Sequence, residues 1–199
     1  MNANDFRQNL RRGGARSNRF DVGITFPSFV PGGVVSGSQI RFRAKATQTP
    51  AMTVGTIEIP YQGRIVKVPG DRTYEEWNVT IINDEDYALR NAFEAWQDAI
   101  SRMDHDTIGD RAPEAAGIND FIADIVVRQR TKDVGGITKQ YMLKNAWPTN
   151  VAPIELSWDN QDAIEEFDVT FAFDYFVTNG VDSAGNLGDG AFSVFSDLT

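Results

Sequence analysis

Few residues in this chain could do acid–base or metal chemistry. The single histidine, His105, stands in "MDHDT" between Asp104 and Asp106, and imidazole is the side chain most often used to move protons near neutral pH. The trio also offers nitrogen and oxygen donors for a metal. Consecutive loop residues rarely converge on one ion, however, and neither an HxH nor an HExxH spacing supports them. A histidine at a helix end, interacting with terminal carbonyls, is the better reading. The acids Glu75 and Glu76 raise a second option, because glycoside hydrolysis needs two carboxylates about 5 to 9 Å apart. Adjacent strand residues point to opposite faces, so the two cannot act together, and either one needs a distant acid such as Asp168. There is no GxSxG, no glycine-rich phosphate loop entering a helix and no zinc spacing. No catalytic, metal-binding or cofactor-binding residue is assigned.

Composition narrows the classes further. Cysteine is absent, which removes disulfides, thiolate catalysis and Cys-ligated metal sites. The net charge of −9 over 199 residues repels phosphate and argues against ordinary electrostatic binding of nucleic acid. With 41% hydrophobic residues, 13 Phe and 4 Trp, the chain suits one ordered domain. The N-terminal stretch has no apolar run of signal-peptide length, and no run of about 18 apolar residues occurs. Neither export by a signal peptide nor a membrane partner is expected.

The elements that would position any site are mostly strands. Residues 1–19 carry Arg7, Arg11, Arg12, Arg16 and Arg19 against a single acid, Asp5, a basic arm on an acidic body. It is either a solvated terminus or an arm that docks on a neighbouring copy. "RFDVGITF" puts Phe20, Val22, Ile24 and Phe26 on one strand face. "SQIRFRAKAT" alternates Ile40, Phe42, Ala44 and Ala46 with Arg41, Arg43 and Lys45, which reads as a half-buried strand with a basic outer stripe. Two β-branched runs in 52–68 form an extended hairpin or two successive strands, broken near Pro60 and Gly63, and "PGD" at 69–71 reads as a turn.

"TYEEWNVTII" then sets Trp77, Val79 and Ile81 against Glu76, Asn78 and Thr80. Asn83 is placed to cap a helix over 84–103, with Asp84, Glu85 and Asp86 in its first turn. Leu89, Phe93, Trp96, Ile100 and Met103 form one apolar stripe. "DFIADIVVRQR" and "ITKQYMLKNAW" flank the turn "DVGG" as a hairpin, and "VAPIELSW" reads as a short strand. The last strand runs from Ile164 to Val177, more than twice the usual length of about 5–6 residues. It sets Phe167, Val169, Phe171, Phe173, Tyr175 and Val177 against Glu166, Asp168, Thr170, Ala172 and Asp174. The domain therefore covers 20–178, and 179–199 is a Gly-rich extension with an apolar patch at Phe192, Val194 and Phe195. The fold class is mainly β: an antiparallel β-sandwich or open barrel with one packed α-helix.

Long strands with an acidic face opposite an apolar one leave sheet edges exposed. Neighbouring copies would remove those edges and bring the acidic faces together around a bore that repels DNA and lets it pass. The segments "GARSNRFDVGI", "PYQGRIVKVPGDRTYEEWNVTIINDEDYALRNAFEAW" and "KNAWPTNVAPIELSWDNQDAIEEFDVTFAFDYF" resemble the tail tube proteins of contractile-tailed bacteriophages, from Gly14 to Phe176. The most specific part is the GR-x-x-KVPGDR-x-(aromatic)-x-x-W run into an acid-capped helix. A second is "NAWP" followed by the long aromatic strand.

The resemblance implies a structural virion protein: hexameric rings stacked into a hollow tail tube inside a contractile sheath, assembled in the host cytoplasm. It implies no enzyme activity and no cofactor. Its partners would be further copies of itself, the sheath protein, baseplate and tail terminator proteins, and tape measure protein and phage DNA held loosely in the lumen. Tube proteins of type VI secretion and R-type pyocin systems are similar in fold and supply the alternative; a carbohydrate-active β-sandwich is a more distant one. Carried onto this sequence, the 52–68 hairpin with Ile57, Ile59, Tyr61 and Ile65, together with Arg11, Arg12 and Arg16, would contact other subunits or rings. Arg41, Arg43 and Lys45 would meet the sheath or a neighbouring subunit. By alternation, Glu76, Asn78, Thr80, Glu166, Asp168, Thr170 and Asp174 would line the channel.

Overall fold

A computed structural model describes residues 2, 3, 5, 7, 14–100, 120–132, 136–159 and 163–180. Strand β1 (Phe20–Ile24) leads into helix α1 (Gly33–Arg43) and strand β2 (Ala44–Thr47). Next come β3 (Met52–Tyr61), β4 (Arg64–Tyr74), β5 (Trp77–Ile82) and helix α2 (Ala88–Ile100). The chain continues through β6 (Ala123–Arg130), β7 (Ile137–Val151), β8 (Glu166–Ala172) and β9 (Tyr175–Gly180).

Seven strands make one antiparallel sheet in the order β1-β6-β7-β8-β5-β2, with β9 also paired to β7. The two ends of that order, β1 and β2, are not hydrogen-bonded to each other, so the sheet is an open barrel. A shallow cleft lies at this seam, lined by Phe20, Thr47, Gln48, Val127, Arg128 and Tyr141 among others.

The sheet and both helices bury one aromatic core. Trp77, Val79 and Ile81 of β5 and Phe167, Val169 and Phe171 of β8 are buried, as their alternation requires. On α2, Leu89, Phe93 and Trp96 are buried at the expected spacing. Phe26 packs on both Phe93 and Trp96, with ring centroids 5.1 and 5.6 Å apart. The two buried indoles are satisfied: Trp77 donates to the Gln48 carbonyl at 2.7 Å and Trp96 to the Phe121 carbonyl at 2.8 Å.

Several expectations are corrected. The segment read as a strand with a basic stripe is α1 followed by the short β2, so two helices rather than one pack on the sheet among the described residues. A helix there buries Gly33, Ser36 and Ile40 on one side. It also lies so close to β1 that a Cβ on Gly37 would sit 2.8 Å from the Ile24 carbonyl oxygen. Asn83 does not cap α2. It is buried and binds Glu165, its backbone N–H donating to the Glu165 carbonyl and its side-chain amide to the carboxylate. Asp84, Glu85 and Asp86 form a turn before the helix, whose first bond runs from the Asn91 N–H to the Tyr87 carbonyl at 2.8 Å.

The hairpin is longer than 52–68. Its tip is Gln62–Gly63, with φ of 46° and 77°, the all-positive turn that suits two twisted strands. "PGD" lies inside β4 at a bulge opposite Gly55. "VAPIELSW" is strand only at Val151; residues 152–158 are irregular.

The long last strand is two, β8 and β9, broken at Phe173 and Asp174 and both laid along β7. Asn145 on β7 adopts φ 56° at the same level, and its side chain donates to Asp174 at 2.7 Å. The inward-facing positions shift there in both strands, from Leu143 to Ala146 and from Phe173 to Phe176. Tyr175, expected inside, is therefore exposed. Strand β9 runs to Gly180, two residues past the expected boundary at 178. Arg11, Arg12, Met103, Asp104, His105, Asp106 and the extension from 181 onward lie outside the described residues.

Candidate functional site

Among the described residues no group of three or more His, Asp or Glu could hold a metal ion. Glu75 and Glu76 are exposed in the link before β5, not on opposite faces of a strand, and Asp168 binds Thr80 instead. Among the described residues, two sheet faces are the candidates for contact with other molecules.

The first is the β3–β4 hairpin, a two-stranded sheet of its own. Its register sets Ile57 opposite Val68, Ile59 opposite Val66 and Tyr61 opposite Arg64. These aliphatic side chains and Tyr61 share one face and are all exposed, from 38% at Val68 to 62% at Tyr61. The other face carries Pro60 opposite Ile65 and the Glu58–Lys67 ion pair at 3.4 Å. Ile65 is thus separated from Ile57, Ile59 and Tyr61, with which the sequence reading grouped it. Val66 and Val68 are the residues that reading missed; the alternation in "RIVKV", paired across the Gly63 turn, was the signal for them. An isolated hairpin is marginal in water, and this one is anchored at its base by Tyr74, whose ring packs on Phe173 and Phe176 at 5.9 and 5.6 Å.

The second face is the outer side of β5 and β8. Cross-strand pairing sets Asn78 beside Thr170, Thr80 beside Asp168 and Ile82 beside Glu166. Thr80 donates to Asp168 at 2.6 Å. Lys45 donates to both oxygens of Glu166, at 2.5 and 2.7 Å, so one of the two acids is neutralised within the subunit. Glu76 precedes the ladder, and Asp174 sits at the β8–β9 break bonded to Asn145. Alternation therefore brought Asn78, Thr80, Glu166, Asp168 and Thr170 together but not Glu76 or Asp174.

The expected basic stripe does not exist as a stripe. Arg41 pairs with Asp21 at 3.4 Å, Arg43 with Asp84, and Lys45 with Glu166. Asp21 is buried and also binds Arg128 at 3.4 Å and Arg130 at 2.6 Å. This hydrogen bond from Arg130, reinforced by the charge of Asp21, holds the Arg130 guanidinium above its ordinary pKa against the opposing effect of burial. Arg16 is exposed.

A clamp joins β5, α2 and the segment entering β8. Glu165 accepts from the Asn83 amide at 3.0 Å and from the Tyr87 hydroxyl at 2.7 Å. These two hydrogen bonds, the Asn83 one foremost, hold the carboxyl below its ordinary pKa. The same bond to Glu165 raises the Tyr87 phenol. Arg90 lies 5.4 Å over the Phe167 ring and donates to the Ala152 carbonyl at 3.0 Å. The strand-to-helix junction is therefore held by packing and hydrogen bonding.

The family model for "Phage tail tube protein" matches residues 15–179. This chain belongs to the phage tail tube family. It is 34% identical over 162 residues to tail tube protein gp19 of Enterobacteria phage T4, covering 81% of this chain and 90% of that one. It is 32% identical over 169 residues to the tail tube protein of Serratia phage KSP90, covering 82% and 89%. Among solved structures, its fold is similar to the tube-terminating cap of the anti-feeding prophage (TM-score 0.58, 16% identity, 83% of this chain and 91% of that one). It is also similar to a chain of the sheath–tube complex of the extracellular contractile injection system PVC (TM-score 0.52, 14% identity, 91% and 99%). A tail tube protein is a structural component of the virion tail, and the two sheet faces are surfaces of such a component.

Proposed function

We propose that this tail tube protein assembles into hexameric rings that stack into a hollow tube inside a contractile sheath, and that phage DNA passes through the tube into the host. The observation that carries this reading is the exposed apolar face of the β3–β4 hairpin, Ile57, Ile59, Tyr61, Val66 and Val68. A protruding face of that composition is unfavourable in water and is covered when it lies on the next ring. The outer face of β5 and β8, with Asn78, Thr80, Asp168 and Thr170, lines the channel, where hydroxyls, an amide and a carboxylate offer DNA no cationic hold.

The exposed Arg16, with Arg11 and Arg12, reinforces contacts to neighbouring copies of the acidic body. Sheath, baseplate, terminator and tape measure proteins complete the partner set. Arg41, Arg43 and Lys45 meet the sheath or a neighbour only where their intrachain pairs open. Virions are assembled in the host cytoplasm. Electron microscopy of the purified protein over a concentration series tests the assembly. Six-fold rings or hollow tubes are the expected result; a monomer at every concentration, with and without a baseplate-like nucleator, would overturn it.

A further inference from the structure

Helix α1 has an exposed side whose composition does not suit water. At 100° per residue, Arg41, Val34, Ser38, Phe42 and Val35 fall within one arc, opposite the buried Gly33, Ser36 and Ile40. Val34 is 90% exposed, Phe42 84% and Val35 58%. The helix carries Arg41 and Arg43 and no acid. Beside Arg41, the single carboxylate of Asp21 is shared by three guanidiniums, those of Arg41, Arg128 and Arg130. One end of an apolar helix face is therefore locally cationic in a chain whose net charge is −9.

We propose that this face is covered by the chain's own C-terminal extension, residues 181–199. That segment holds Leu187, Phe192, Val194, Phe195 and Leu198 together with Asp182, Asp189 and Asp197, and it has no lysine or arginine. Apolar side chains match Val34, Val35 and Phe42, and the aspartates match the cationic end. The extension starts beyond the family match, which stops at residue 179, so its occupancy of α1 goes beyond what the family fold requires.

The reach is sufficient. Gly180 pairs with Lys139 on β7, and β6 and then β1 follow across the sheet, with α1 packed on β1. Three strand spacings and one packing layer amount to about 25 Å. The segment from Gly180 to Phe192 spans about 40 Å when extended. The other apolar surface available as an occupant, the hairpin of a second copy, is poorly matched in charge. Its apolar face carries Arg64 at the tip, opposite Tyr61, so a cation would meet the cationic end of α1.

Paired cysteines test this cleanly, because the chain has none of its own. Ser38→Cys lies in the middle of the exposed arc, and Ser193→Cys sits between the apolar residues of the extension. Thr53→Cys, exposed on the hairpin, combined with Ser193→Cys is the control. In dilute full-length protein the Ser38/Ser193 pair is expected to form an intramolecular disulfide about tenfold faster than the control, through the higher effective concentration of a docked segment. Changing Phe192 and Phe195 together to Ser should remove the difference, and added salt should reduce it. Equal rates in the two pairs would overturn the proposal. So would disulfides that form only between chains when copies of two sizes are mixed, which would assign α1 to another copy. As a second readout, removal of 181–199 should speed amide hydrogen exchange in α1; unchanged exchange would also overturn it. Neither measurement depends on tube formation.

Discussion

Replacing Ile59 by Asp should abolish tube growth at concentrations where the unaltered protein assembles, while leaving the subunit folded. Ile59 is 48% exposed on the apolar hairpin face, opposite Val66, so about half of its burial is still available to a partner. Full burial of such a side chain contributes about 2–3 kcal/mol, which leaves about 1 kcal/mol for the contact. A carboxylate put in its place loses that contribution and adds a desolvation cost of about 2 kcal/mol where no cation meets it. The sum, about 3 kcal/mol for each contact, raises the concentration needed for growth about a hundredfold. The subunit should change by no more than about 0.5 kcal/mol, because the hairpin stands apart from the core. Glu58→Gln on the opposite face breaks only an exposed pair worth at most about 0.5 kcal/mol and serves as the control. Sedimentation and electron microscopy over a concentration series, with thermal melting of the dilute subunit, separate the two effects. Tubes of Ile59→Asp forming at unaltered concentrations would refute the assignment of this face to a ring contact. Loss of the melting transition would refute the claim that the face is outside the core.

Asp168→Lys removes the hydrogen bond from Thr80, at a cost of about 1 kcal/mol, and puts a cation on the proposed channel face. Particles should assemble with reduced infectivity, and normal DNA ejection would remove Asp168 from the lumen; Glu166→Lys is the poorer test because it also breaks the Lys45 pair. Phe93→Ala empties a fully buried site between Phe26, Phe167 and Phe171 and should cost about 3–5 kcal/mol in denaturant unfolding. Asp21→Asn leaves three guanidiniums without their shared carboxylate and should cost about 2 kcal/mol by the same assay, less than for a fully buried pair because Arg41 and Arg130 stay partly wet. The depressed pKa of Glu165 means that its stabilising effect is complete above the unfolded carboxylate value and is lost as pH falls through the folded one. Melting temperature should therefore drop more steeply for the unaltered protein than for Glu165→Gln between about pH 6 and about pH 3; parallel curves would count against the clamp.

Side-chain period carried much of the fold. Trp77, Val79 and Ile81, the Phe167 to Phe173 run and the α2 stripe of Leu89, Phe93 and Trp96 are all buried as their spacing requires. Where period misled, the causes were tertiary. Ile40 and Phe42 alternate with cations like strand residues, yet the segment is a helix that buries Gly33, Ser36 and Ile40 and brings Gly37 against the Ile24 carbonyl of β1. Glu76 and Asp174 have the parity of the proposed channel residues but lie beyond the ends of the paired ladder. Ile65 belongs by composition with Ile59, but the two-residue turn at Gln62–Gly63 sets it on the opposite face and brings in Val66 and Val68 instead.

By itself the sequence determined which side-chain chemistries the protein has at hand. With no cysteine and a single histidine, side-chain type offered few groups for thiolate, metal or acid–base chemistry. Alternation, a local property of the backbone, specified which strand faces are apolar. The tertiary structure alone decided which of those faces are exposed among the described residues. Exposure depends on what packs across a face from residues distant in the chain. The same holds for charge: Arg41, Arg43 and Lys45 look free along the chain, but the fold brings each against an acid from another element.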